Sequence, residues 1–321
     1  MSPRKHGALA RHQRGVALMT AILLVALATI LAATIGYENA MSARRGTATL
    51  AFDQSVQVAM AAESIGAYAL QQSRKLTPTT TYLGQPWATP YGPVDLIPGV
   101  TLEAWLEDAQ ARFNLNNLVN GDGTTNAAAV TLFENLLTIL GLETKWAPML
   151  ADWIDADTVP NNPDGAEDSV YLSQMPPYRA ANMFITSTSE ILALPGFGRD
   201  RYLKLAPFIT ALPQGTPVNI CTARKEVLNA LTPGTANFTD DQSLAKSRQD
   251  NGCFPTQQEF LPLLTDLNTK NVASGMVATL SNYFTLSSIV TIGSTQFALY
   301  SLLHQEGDLR VRPIQRSFTA D

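Results

Sequence analysis

From Val16 to Tyr37 the chain runs 22 residues without a charge, and few folds can absorb such a run. A helix of that length covers about 33 Å at 1.5 Å per residue, enough for a hydrocarbon core of about 30 Å. Arg4, Lys5, Arg11 and Arg14 precede it, and residues 1–15 contain no acid. The positive-inside rule then keeps the leader cytoplasmic and exports the chain beyond Tyr37. A cleavable signal peptide also joins a basic leader to an apolar run, and Ala26-Leu27-Ala28 resembles its cleavage site. The run continues well past Ala28, however, and meets no proline or glycine before Gly36.

Helical character extends further. No proline occurs between Val16 and Thr77, and Phe52, Val56, Met60, Ala67 and Leu70 recur at steps of three, four or seven. The pattern predicts one long helix over 16–76, membrane-spanning over 16–37 and amphipathic over 48–72. Pro78 ends it, and the Thr-, Pro- and Gly-rich segment 77–99 reads as a loop.

Composition narrows the remaining classes. Apolar residues are 45% and charged residues 15%, which excludes a disordered chain or a charged coiled coil. A net charge of −5 gives no basic face for nucleic acid, and it becomes −9 once the leader's four cations are set aside. His304 is the only histidine beyond the leader, which argues against a catalytic triad or a multi-histidine metal site in the body. No phosphate-loop, dinucleotide or zinc-protease pattern occurs.

Strands are expected at both ends of the exported part and helices between them. Val100 to Asp108 partly alternates, as do Phe284 to Ile292, Phe297 with Leu299, and Leu309 with Val311, giving three strands between residue 283 and Phe318. Val130, Phe133, Leu136, Leu137 and Leu140 follow helical spacing, stopped by Gly141. Further helical signals lie near 143–156, 187–194, 198–209, 222–231 and 256–265. The expected class is α+β: a long N-terminal helix on a small antiparallel sheet (77–115 and 280–321), with a large all-α domain inserted at 116–279.

The densest chemical signal is acidic. Asp152, Asp155, Asp157, Asp164, Glu167 and Asp168 place six carboxylates in 17 residues, and no Lys or Arg occurs from Trp146 to Tyr178. Such charges repel unless solvated or bound to a cation. Oxygen-only ligands suit calcium, although the EF-hand spacing is absent. A solvated loop with helix-capping aspartates is the alternative, and a glycosidase acid/base pair is a distant third. Leu194-Pro195-Gly196-Phe197-Gly198 resembles the hairpin of helix-hairpin-helix modules, but in an acidic exported domain it reads as a tight helix connection. Cys221 and Cys253 are the only thiols. In an exported domain they are expected to form a disulfide, with two buried free thiols as the alternative.

Several runs together resemble a known family. Gln13-Arg14-Gly15 followed by Val16-Ala17-Leu18-Met19-Thr20-Ala21 is similar to a type III prepilin signal. Arg112-Phe113-Asn114-Leu115-Asn116-Asn117-Leu118, Asp152-Trp153-Ile154-Asp155-Ala156-Asp157, Gly165-Ala166-Glu167-Asp168 and Asn219-Ile220-Cys221-Thr222-Ala223 then come in the order seen in general secretion pathway protein K, a minor pseudopilin of type II secretion. The resemblance implies a pilin-like fold and cleavage by prepilin peptidase between Gly15 and Val16, with Val16 then N-methylated. It implies anchorage in the bacterial inner membrane by one pass, with the C-terminal domain in the periplasm. Thr20 replaces the glutamate usual at the fifth mature position, as in the K subunit, which points to the tip of the fibre. There the family is thought to cap the pseudopilus with minor pseudopilins I and J, and through them to join H and the major pseudopilin G. It would start assembly and limit fibre length, acting as a structural subunit rather than an enzyme. The resemblance also implies structural calcium at the acidic segment. A minor pilin of a type IV pilus and an anchored periplasmic calcium-binding protein or glycan hydrolase are the alternatives.

Overall fold

In a computed structural model, residues 10–232, 238–248, 252–254, 260, 275–307 and 309–319 are described. Helix α1 (Ala10–Leu76) runs without interruption through Gly36 and Gly46. Two compact units divide it, one ending at Gln57 and the other beginning at Val58.

In the first unit the apolar side chains point outward: Leu23 is 68% exposed and Leu31 54%. In water such a surface would be costly, whereas lipid tails would cover it. The hydroxyls of Thr20, Thr29 and Thr34 donate to the carbonyls of Ala17, Ala26 and Ile30, so these three hydroxyls are satisfied within the helix.

The second unit contains a five-stranded antiparallel sheet. Its strands are β1 (Tyr91–Ile97), β2 (Val100–Asp108), β7 (Tyr283–Ile292), β8 (Thr295–Gln305) and β9 (Val311–Ser317), numbered along the chain. They lie in the order β1-β2-β7-β8-β9. Period-2 alternation turns Leu102, Leu286, Val290, Leu299 and Leu303 onto one face, where they pack with Leu70 of α1 and with Trp87. Strand β1 departs from the loop expected over 77–99. It is an exposed edge strand containing Pro93, so it pairs through its backbone and lacks a buried apolar face to announce it.

The packed face of α1 only partly follows the apolar stripe predicted. Leu70 of that stripe is buried, but Met60 is 43% exposed, and Ala59 and Ala62 are buried beside the sheet instead. Small residues let the sheet come close: a Cβ on Gly66 would lie 3.5 Å from a Leu106 methyl and 3.6 Å from one of Leu286. Glu63 fastens the helix to the far edge, accepting from Ser301 Oγ at 2.6 Å and from Arg316 Nε and Nη2 at 2.7 and 2.8 Å.

Between β2 and β7 the chain forms a helical region with its own core. Its elements are β3 (Phe113–Asn114), α2 (Ala127–Ile139), α3 (Trp146–Ile154), α4 (Asp168–Tyr171), α5 (Arg199–Leu205), β4 (Ile209–Thr210), β5 (Val218–Asn219), α6 (Lys225–Leu231), α7 (Asp241–Ser247) and β6 (Val277–Ala278). The helix expected near 256–265 lies outside the described residues, apart from Phe260. The segment expected as a helix at 187–194 is a 3-10 turn over Thr188–Ala193, closed by a Ser187–Glu190 capping box. Gly196 and Gly198 take φ +81° and +76°, and Arg201 donates to the carbonyls of Gly196 and Phe197, so that hairpin is an internally tied helix connection.

Buried amides replace long strands here. Asn116 donates to Ile185 O and Leu212 O and accepts from Ile185 N. Asn114 and Asn117 tie the 212–216 loop in the same way. Cys221 and Cys253 are joined by a disulfide with Cα atoms 4.4 Å apart.

Asp108, at the end of β2, fixes the helical region to the sheet. Its carboxylate accepts from Gln110 N, Asn219 Nδ2, Thr222 Oγ1 and Ser281 Oγ at 2.5–2.9 Å. Asp108→Ala would leave the buried Gln110 N–H and Ser281 hydroxyl without an acceptor and take one from Asn219 and Thr222, so a loss of about 3–5 kcal/mol is expected. Urea unfolding followed by circular dichroism measures it, and an unchanged midpoint would contradict the assignment.

Candidate metal centre

Helix α3 buries Ala147, Leu150, Ala151 and Ile154 on one face, which brings Asp152 inside with them. Asp155 is its C-cap residue, its N–H donating to Ala151 O at 2.8 Å. The chain then makes a proline-bearing loop and returns at Glu167, the residue before α4.

The loop is tied to Asp152. Both Asp152 oxygens accept from Asn161 N, Oδ2 accepts from Ala166 N at 2.6 Å, and Asn161 Nδ2 donates to Oδ1. Gly165 is required by close approach, because a Cβ there would collide with the Asn161 backbone and Asp152 Oδ2. This knot returns Glu167 to the C-terminal end of α3. One carboxylate oxygen from each of Asp155, Asp157 and Glu167 then falls within 4.8 Å of the others.

The six acids therefore divide. Asp155, Asp157 and Glu167 form the set. Asp152 is engaged by backbone N–H groups. Asp164 is exposed beside Glu134, whose pKa is raised by partial burial and by the Asp164 charge. Asp168 accepts from Ala180 N and lies 3.5 Å from Arg179.

Electrostatics mark the set as incomplete. Asp155 and Glu167 are 1% and 4% exposed, yet Asp155 Oδ1 and both Glu167 oxygens have no hydrogen-bond partner. Buried carboxylates without donors are costly unless protonated or bound to a cation. Burial pushes Glu167 up to about 7, and the charges of Asp152, Asp155, Asp157 and Asp168 add to it. Burial likewise lifts Asp152 to about 6 against its hydrogen bonds. An all-oxygen set of this kind fits a hard divalent cation. It does not suit glycoside hydrolysis: Trp153 is buried edge-on to Tyr171 at 5.1 Å, so it offers no sugar platform.

Comparison with known proteins agrees with the fold. The family model for type II secretion system (T2SS), protein K, matches residues 111–214, which include the acidic loop. A curated type II secretion system protein K of Pseudomonas aeruginosa is 33% identical over 318 residues, covering 95% of this chain and 93% of its own. The chain belongs to the type II secretion system protein K family. The Klebsiella pneumoniae member is 32% identical, covering 92% of this chain and 93% of its own. The crystal structure of the GspK-GspI-GspJ complex from enterotoxigenic Escherichia coli superposes with a TM-score of 0.70 at 27% identity, covering 86% of this chain and 100% of that one. The fold is thus pilin-like, a long helix on an antiparallel sheet, enlarged by the helical region. Members of this family are structural components of a protein-transport machine.

One residue at the site, Thr125, escapes sequence reading. Thr125 Oγ1 donates to Asp155 Oδ2 at 2.8 Å, and Asn161 Nδ2 donates to Thr125 Oγ1 at 2.9 Å. Thr125 lies 30 positions before Asp155, and its only signal is the turn-rich Gly121-Asp122-Gly123-Thr124 before it.

The raised carboxylates predict a pH dependence. Ordinary values are about 4 for Asp and Glu in the unfolded chain. Between there and about 7 the metal-free folded state holds protons that the unfolded state has lost, so stability falls as pH rises through this window. In chelator, the melting temperature is expected to be lower at pH 8 than at pH 5.5. A melt that rises over that interval would contradict the site's electrostatics.

Proposed function

We propose that this chain is a minor pseudopilin that caps the pseudopilus tip together with minor pseudopilins I and J, and through them H and the major pseudopilin G. The observation that carries the reading is the helical region inserted between β2 and β7 of a pilin-like sheet. A fibre subunit must pack against copies above and below it, and so much added bulk favours an end position. Thr20 supports the same position. Its hydroxyl is satisfied by Ala17 O, and it offers no carboxylate for a subunit above to neutralise. The relative crystallised with GspI and GspJ supports partners of that kind.

From the tip the subunit would start assembly and limit fibre length, acting by assembly rather than catalysis. The apolar run from Val16 to Tyr37 supports a single pass through the inner membrane, with the head in the periplasm. Gly15 and Val16 would be the prepilin peptidase junction, with methylation of Val16 after cleavage. Calcium is the cation the acidic set fits best, since Asp155, Asp157 and Glu167 offer only oxygen and the extracytoplasmic space supplies the ion. Its part would be structural, holding Glu167 against the end of α3.

Position can be read directly. Overexpressed fibres, labelled with gold against the helical region, should carry label at one end only. Label spaced along the fibre would exclude the cap.

A further inference from the structure

We infer that Thr125 is a positioning residue for the cation site, acting through Asp155 rather than touching the ion. The inference rests on the reading of the acidic loop as a cation site. Asp155 is buried, and its two oxygens have different surroundings. Oδ2 accepts from Thr125 Oγ1 at 2.8 Å, whereas Oδ1 has no partner. The threonine hydroxyl has one proton, which it gives to Asp155, and it takes a hydrogen bond from Asn161 Nδ2 at 2.9 Å. The direction is therefore fixed: Asn161 to Thr125 to Asp155. Asn161 is fixed in turn, because its other amide hydrogen goes to Asp152 Oδ1 and its backbone N–H to the same carboxylate.

The loop bearing Thr125 is itself held against the site. Ala156 N donates to Gly123 O at 3.1 Å, and Thr125 bridges to Val119. A side chain at Gly123 would press on Ala156 Cβ at 2.8 Å, so the contact admits little else. Asp152, Asn161, Thr125 and Asp155 thus form one connected line from the core of α3 to the free oxygen of the set. A carboxylate held by one oxygen presents the other with little rotational freedom, which is how residues outside a metal's immediate ligands raise affinity. Asp152 and Thr125 would then do for the site what its three ligands cannot do alone.

The test uses the full chain in detergent, stripped of metal, with calcium alone titrated by calorimetry at pH 7.5. Thr125→Val keeps the shape and removes the hydroxyl, so calcium affinity is expected to fall about 10–100-fold. Thr125→Ser restores the donor and is expected to bind within a few-fold of the parent. Thr125→Ala is a second variant should valine disturb the fold, which circular dichroism checks. A merely structural role would lower the metal-free melting temperature of Thr125→Val and leave its calcium affinity at the parental value. That result, with calcium binding by the parent intact, overturns the inference alone. Absence of calcium binding by the parent overturns the cation reading and the inference with it.

Discussion

The closure of β2 onto β7 is the constraint that the head depends on. Asp108 and Phe284 are register partners, yet the whole helical region lies between them in sequence. Two strands so far apart must meet against the entropy of closing a long loop, and a junction with little freedom at the end of their ladder helps keep them paired. Asp108 supplies it. Its carboxylate gathers Gln110 N, Asn219 Nδ2, Thr222 Oγ1 and Ser281 Oγ, the last of them 173 residues away. Gln110 extends the junction, donating to Pro217 O and accepting from Asn282 N. The sheet and the helical core therefore meet through a network in which buried donors find acceptors.

The acidic loop presents the same physics with the opposite outcome. Asp108 and Glu167 are both buried carboxylates. Four donors surround Asp108, whereas Glu167 has none and faces other acids. One site is finished by the chain, and the other, on the reading proposed above, would be completed by a cation. Asp152 stands between these cases: it takes its donors from the loop backbone and uses its charge to shape the loop. The division of labour explains why six acids in sequence yield three at the centre.

Periodicity makes much of this legible. The alternation of β7 and β8, the spacing of α2 and the proline ending α1 are direct consequences of burial on one face, and they appear where the pattern places them. Strand β1 is illegible because an exposed edge strand with Pro93 needs no alternation. The packed face of α1 is only half legible: Leu70 of the apolar stripe reaches the sheet, but Met60 does not, and Ala62 and Gly66 permit the close approach instead. The acidic site is visible as charge density without counter-charge. Which oxygens are free depends on Gly165, Asn161 and Thr125, which contribute backbone geometry, one side-chain amide and one hydroxyl, and their joint arrangement leaves no pattern in sequence.

A pilin-type subunit enters its fibre through a processed apolar helix, and processing tests that membership most directly. Intact mass and N-terminal sequence would be measured on the membrane-fraction protein, from cells with and without prepilin peptidase. A pilin-type subunit gives a methylated chain starting at Val16, replaced by the uncleaved form when the peptidase is absent. A start near Thr29, or an uncleaved chain in the presence of the peptidase, would contradict it.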